Sequence, residues 1–193
     1  MELPDGDRPQ QYWSSSYTNR LKAIGDERRD VTLRMLVGQY LLLKQLESEA
    51  VGEIRKLAMA ERYQQKVKLL RSVPGIGLLT SMLILTEVGD IRRFRQLDQL
   101  CAYVGLIPDT RSSGEKNWAG AMTCRGNRLL KTALIESAWM AIRKDPALAL
   151  TYETWKKQKG SGQRVIVKIA RKLLSRIRFV LTSNEPYKLG VTE

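Results

Sequence analysis

The chain has 193 residues, enough for one sizeable domain or for a compact domain with an extended appendage. Its formal net charge of +13 favours polyanionic partners, with an anionic membrane surface as second choice. There is no histidine, which excludes a Ser-His-Asp triad, a Cys-His pair and any His-ligated metal site within this chain.

The two cysteines, Cys101 and Cys124, stand singly and form no CxxC pair, so neither zinc nor a disulfide framework is implied. The longest apolar run, Leu78 to Leu85, is far short of the ~20 residues that span a bilayer, and no signal peptide opens the chain. A cytoplasmic protein is expected. The charge is uneven. Residues 1–70 carry 12 Lys and Arg against 10 Asp and Glu, and residues 71–193 carry 21 against 10. Such asymmetry points to a near-neutral structural arm followed by a domain that faces nucleic acid.

Met1 to Gln11, with two prolines and a glycine, reads as an extended lead-in. Ser14 or Ser16 is placed to cap a short helix ending near Gly25. From Glu27 to Gln65 there is no proline, and Leu36, Tyr40, Leu43, Ala50, Ile54 and Leu57 recur at steps of four and three, with Glu47 at the polar position of the seam. This near-heptad predicts a long helix that either pairs with another copy as a coiled coil or packs on its own domain. Gly38 and Gly52 cost it about 1 kcal/mol each relative to alanine.

A helix must end near Ser72, because Pro74 disfavours helical backbone at Val73 and Gly75 and Gly77 permit a tight turn. Pro-Gly-Ile-Gly between apolar helices has the form of a helix-hairpin-helix turn. Glycines there let the backbone approach a phosphate, and the amides of the next helix point at it. An ordinary connector turn is the alternative.

Helices are predicted for Thr80 to Val88 and Leu97 to Val104, stopped by Gly89 and Gly105, with a basic turn at Ile91 to Arg95 between them. The stretch from Gly105 to Lys131 is polar and basic, with a loop or short hairpin near 106–124. Arg111-Ser112-Ser113-Gly114 at its centre sets two hydroxyls beside a guanidinium, a combination suited to a phosphate. A helix follows from Asn127 to Ile142. Lys156 to Arg178 holds nine Lys and Arg and no acid, and Ile166, Ile169, Leu173 and Ile177 form one stripe. That last helix is expected to dock through the stripe and show its cations outward to a polyphosphate.

The order VPGIG, GDIRRFRQLDQLCAYVGLIP, SSG, GNRLLKTAL, DPALALTYETWKKQKG and IARKLL, with Pro186-Tyr187, resembles the C-terminal region of an insertion-sequence transposase family. That family includes Piv-type DNA invertases and bridge-RNA-guided recombinases. The resemblance covers residues 67–187 closely and 3–66 loosely.

It implies a mainly α fold: a lead-in (1–26), a coiled-coil arm (27–66), a serine-bearing transposase domain (67–187) and a tail (188–193). It also implies that Ser113, or Ser112 beside it, attacks a DNA phosphodiester. Arg111 and Lys116 would stabilise the phosphate charge. Gly75, Gly77, Arg92, Arg93, Arg125, Arg128 and Lys131 would bind nucleic acid. Lys131 stands where the family usually has arginine, which removes a bidentate phosphate contact.

The family's RuvC-like acidic nuclease domain is not recognisable in this sequence, which reads as a fragment or truncated gene product, incomplete as an enzyme alone. No metal or cofactor site is expected in this chain. A divalent metal such as Mg is expected only with the acidic domain. The expected partners are DNA, a structured guide RNA and a second copy through the helix at 27–65, with no membrane. A non-catalytic nucleic-acid-binding protein derived from such a transposase is the alternative.

Overall fold

The computed structural model describes residues 13–113, 116–122, 125–159 and 161–189, with the backbone alone for 109–113, 116–122 and 159. Cys124 lies outside the described residues. The chain is mainly helical and divides into two compact units, 1–53 and 54–193.

In the first unit, α1 (Ser15–Glu27) is capped by Ser14, whose Oγ accepts the Tyr17 N–H at 3.2 Å. The chain then leaves the helix through Arg29, in left-handed backbone at φ 53°, and restarts at Asp30. The Asp30 carboxylate accepts the Leu33 N–H at 3.0 Å and caps α2 (Val31–Ala58). Leu21 and Val37 are buried, and the Trp13 ring packs against Tyr40 with centroids 5.0 Å apart and planes tilted by 44°.

The single helix expected over 27–65 is therefore divided at Arg29-Asp30, and divided again at Met59-Ala60. At the second break the Met59 and Ala60 amides donate to the carbonyls of Lys56 and Leu57, a tightened last turn. α3 (Glu61–Ser72) then starts with a carboxylate in its first turn, where the helix dipole favours one. Neither glycine nor proline marks this break, whereas Gly38 and Gly52 lie inside α2.

The second unit continues with α4 (Leu78–Val88), a 3-10 turn at Ile91–Arg93 and α5 (Leu97–Val104). A hairpin of β1 (Pro108–Ser113) and β2 (Lys116–Met122) follows, then α6 (Arg128–Lys144), α7 (Pro146–Lys159) and α8 (Gly162–Ser183). α8 is the centre, packing against α3, α5, α6 and α7. Its stripe buries Ile166, Ile169, Leu173 and Ile177, each worth about 1.5–3 kcal/mol, together with Val165, Leu174 and Val180.

The basic stretch from Lys156 to Arg178 departs from expectation in two ways. It belongs to two helices, α7 and α8, rather than one. Nor do all nine cations turn outward. Arg171 pairs with Asp98 at 2.7 Å, and Arg176 pairs with Asp145 at 2.6 Å. The Arg178 Nη2 donates to the Phe94 and Arg95 carbonyls at 3.4 and 2.9 Å. Aliphatic packing alone leaves α8 free to slide, and these bonds fix it against its neighbours.

Asp145 joins three elements. Its Oδ1 accepts the Ala147 N–H at 2.9 Å, capping α7, where Pro146 supplies a first residue that needs no donor. Its Oδ2 takes the Arg176 guanidinium and the Tyr187 hydroxyl, both at 2.6 Å. The Tyr187 N–H in turn donates to Ser72 Oγ at 2.8 Å, pinning the C-terminal segment to the end of α3. Among the described residues no helix is long and apolar enough to cross a membrane.

Candidate nucleic-acid interface and serine hairpin

Ser113 ends β1 and is opposed by Lys116, the first residue of β2, while Ser112 is opposed by Asn117 and Arg111 by Trp118. A register irregularity between Pro108 and Thr110 bends the hairpin near its base. The polar stretch that sequence periodicity leaves undecided is thus an antiparallel pair carrying the serines at the end of its first strand.

Two glycines cross at the foot of this hairpin. Gly105 ends α5 in left-handed backbone at φ 86°, and Gly126, at φ 104°, precedes α6. A Cβ on Gly126 would stand 2.6 Å from the Gly105 nitrogen, and one on Gly105 would stand 2.6 Å from the Arg125 carbonyl oxygen. No side chain fits at either place without moving the backbone.

Asn127 completes the clamp. Its N–H donates to the Tyr103 carbonyl at 3.0 Å, its Oδ1 accepts the Leu130 N–H at 3.0 Å as the cap of α6, and its Nδ2 donates to Glu87 Oε2 at 2.5 Å. The Tyr103 hydroxyl donates to the Glu87 carbonyl at 2.8 Å. The base of the hairpin is therefore tied to α4, α5 and α6 together. Sequence reasoning missed Glu87, Tyr103, Gly126 and Asn127 as a group. Asn127 alone carried a signal, being a capping residue in front of an apolar run.

The candidate cations fall in two places. Arg125, Arg128 and Lys131 flank the start of α6, beside the hairpin base, with Arg125 and Arg128 exposed. Arg128 and Lys131 occupy the first turn of α6, which holds no acid. The helix dipole disfavours cations there, and a phosphate at that end would reverse the balance.

Arg93 lies over two rings, 4.5 Å from the Phe94 centroid and 4.7 Å from that of Tyr103. Its guanidinium thus stacks on the residue that anchors Asn127, and its edge remains exposed. Arg92 is exposed as well, in the 3-10 turn capped by Asp90. The side chains of Arg111, Ser112, Ser113 and Lys116 lie outside what is described.

Gly75 and Gly77 divide in role. Gly75 has φ 82°, and a Cβ on it would lie 2.2 Å from the Ser137 carbonyl oxygen of α6, so its bareness serves helix packing. Gly77 is exposed with open space around it, and it precedes α4 with no side-chain cap on the first amides. Of the two, only Gly77 is open to an approaching ligand. Cys101 is fully buried, and burial pushes its thiol above the ordinary range, which makes it a packing residue. Among the described residues no three His, Cys, Asp or Glu side chains gather as a metal site.

Residues 67–153 match the protein family described as Transposase IS116/IS110/IS902 family. A transposase for insertion sequence element IS1111A from Coxiella burnetii is 34% identical over 149 residues, covering 74% of this chain and 40% of the relative. A pilin gene-inverting protein of Moraxella bovis is 27% identical over 130 residues, covering 66% of this chain and 40% of the relative. The protein of insertion element IS110 from Streptomyces coelicolor is 33% identical over 107 residues, covering 55% of this chain and 26% of the relative. The chain spans less than half the length of each. The region that holds the glycine crossing and the serine hairpin lies within the residues that match the Transposase IS116/IS110/IS902 family.

Proposed function

We propose that residues 67–187 form the DNA-facing, serine-bearing domain of an insertion-sequence transposase or site-specific recombinase. The observation that carries this reading is the clamped hairpin: a Ser113–Lys116 pair at the end of its strands, on a base fixed to three helices and flanked by Arg125, Arg128 and Lys131.

Ser113 Oγ attacks a phosphodiester phosphorus. The Oγ–P bond forms, the bond to one deoxyribose oxygen breaks, and that oxygen leaves with a proton. Arg111 and Lys116 offset the charge that builds on the phosphate oxygens. A divalent metal, held by carboxylates of a RuvC-like acidic domain, would supply activation of the hydroxyl, a role that no histidine of this chain can take because it has none. Successive residues of a strand belong to opposite faces, so Ser112 and Ser113 are separable alternatives rather than equivalent ones.

Self-association completes the reading. Leu36 and Leu43 of the first unit are 58% and 65% exposed and lie on the predicted seam, open to a second copy. The protein would work in the cytoplasm, on DNA or with a structured guide RNA.

Binding to labelled duplex DNA and to a structured RNA across a salt series tests the interface. Affinity should fall steeply with salt, and Arg125→Ala with Arg128→Ala should lower the slope by about 2, at roughly 0.9 for each phosphate no longer neutralised. A flat salt response removes the interface. The second reading, a non-catalytic binder, is favoured by the open amides after Gly77, and in it Ser113 is only a turn residue.

A further inference from the structure

We infer that the groove between the last turn of α2 and α3 is a second DNA-contact surface, seating duplex phosphates on Arg55, Lys68 and Arg71. The inference rests on the DNA-binding reading above and adds residues outside the serine hairpin and its base.

One stripe of α3, with Val67, Lys68 and Arg71 at helical spacing, faces Arg55, Ala58 and Met59 at the end of α2. The two enclose an open groove of about 620 Å³, within the second compact unit. Its floor is apolar, with Ala58 and Val67 buried, and its rim is cationic, with Arg55, Lys68 and Arg71 exposed. Among the described residues no aspartate or glutamate lines it.

Elsewhere in this unit arginines near carboxylates or carbonyls are used: Arg171 on Asp98, Arg176 on Asp145, Arg178 on two backbone oxygens. The three groove cations have no such partner among the described residues. Gathering three like charges around one concavity is unfavourable unless a polyanion neutralises them, because each raises the potential felt by the others. The apolar floor suits the deoxyribose faces that lie between phosphates. The groove ends at Leu78, the first residue of α4, beside the exposed Gly77, so backbone reaching the turn would continue into it.

The test is anisotropy of a labelled 30-base-pair duplex titrated with the whole chain at several salt concentrations. The comparison is between wild type, the triple variant Arg55→Gln/Lys68→Gln/Arg71→Gln and a charge-matched control, Arg20→Gln/Lys22→Gln on α1 with Arg28→Gln at its C-terminal cap. Circular dichroism confirms that each is folded. The groove variant should lower the slope of log affinity against log salt by about 2.7, three phosphates at ~0.9 each, and the control should leave it near wild type. An unchanged slope in the groove variant, or an equal fall in the control, overturns the groove. So does competition by an acidic peptide that the groove variant no longer binds while its duplex affinity is intact. A wild-type chain with no salt-sensitive duplex binding fails differently: it overturns the DNA reading of the whole domain.

Discussion

Asp145 has almost no exposed surface, and its charge is tolerated only because three donors meet it. Burial alone would push the carboxyl up, but the Tyr187 hydroxyl, the Ala147 amide and the Arg176 guanidinium outweigh it and hold it below the ordinary range. A depressed carboxyl contributes stability that is present above its unfolded value, near ~4, and is lost as pH falls through the lowered folded value. Asp145→Asn should therefore cost about 3–5 kcal/mol at neutral pH by urea denaturation, because it leaves Arg176 buried and unpaired. It should also flatten the acid limb of the stability curve. A loss below ~1 kcal/mol would mean that the junction of α6, α7, α8 and the C-terminal segment is held by packing alone.

Glycines make the same point in backbone terms. Gly126→Ala forces a Cβ to within 2.6 Å of the Gly105 nitrogen at a φ of 104°, and should lower stability by at least about 1–3 kcal/mol while displacing the hairpin. Gly38→Ala in α2 meets open space and should stabilise by up to ~1 kcal/mol. Thermal unfolding of the pair separates a glycine that geometry requires from one that it does not. Equal effects would contradict the crossing at Gly105 and Gly126.

At the scale of elements, legibility followed the punctuation. α3 ends at Ser72 before Pro74, α4 ends at Val88 before Gly89, and α5 runs Leu97–Val104 up to Gly105, all as the residues predict. The break at Met59-Ala60 carries no glycine, proline or capping side chain, so a near-heptad ran through it unseen. The Asp30 cap of α2 went unread, because the apolar period was taken straight through it. The hairpin was only half legible, because short polar strands have no sustained alternation to read. That base joins Glu87 to Asn127 across 40 positions, a pairing that exists only once α4, α5 and α6 are packed. The basic run at Lys156 to Arg178 misled for a related reason: sequence counts charge, whereas the fold uses Arg171, Arg176 and Arg178 at its own joints.

Over the whole molecule, +11 of the +13 net charge lies after residue 70, and part of it is consumed internally. Among the described residues, exposed cations stand at the start of α6, in the 3-10 turn with Arg92 and Arg93, and at Arg71 on α3, and others, such as Arg143, Lys144, Lys156 and Lys157, lie along the ends of α6 and α7. The serine's role came from resemblance to a family, and the fold supplies the physical reason to take it seriously: a rigid foot under an otherwise small hairpin. In the oligomer reading, Leu36→Glu with Leu43→Glu should convert the chain to monomer in sedimentation velocity without loss of helix content. An unchanged mass would assign those leucines to another surface.

The most direct measurement is covalent trapping. The whole chain is incubated with a radiolabelled recombination-end duplex, Mg²⁺ and a RuvC-like acidic domain added in trans, then denatured and mapped by mass spectrometry. The expected result is a DNA-linked peptide modified at Ser113, lost in Ser113→Ala and retained in Ser112→Ala. An adduct that survives Ser113→Ala and disappears in Ser112→Ala moves the nucleophile to the opposite face of β1. Strand transfer by Ser113→Ala at the wild-type rate would contradict the claim that this hairpin delivers the attacking hydroxyl.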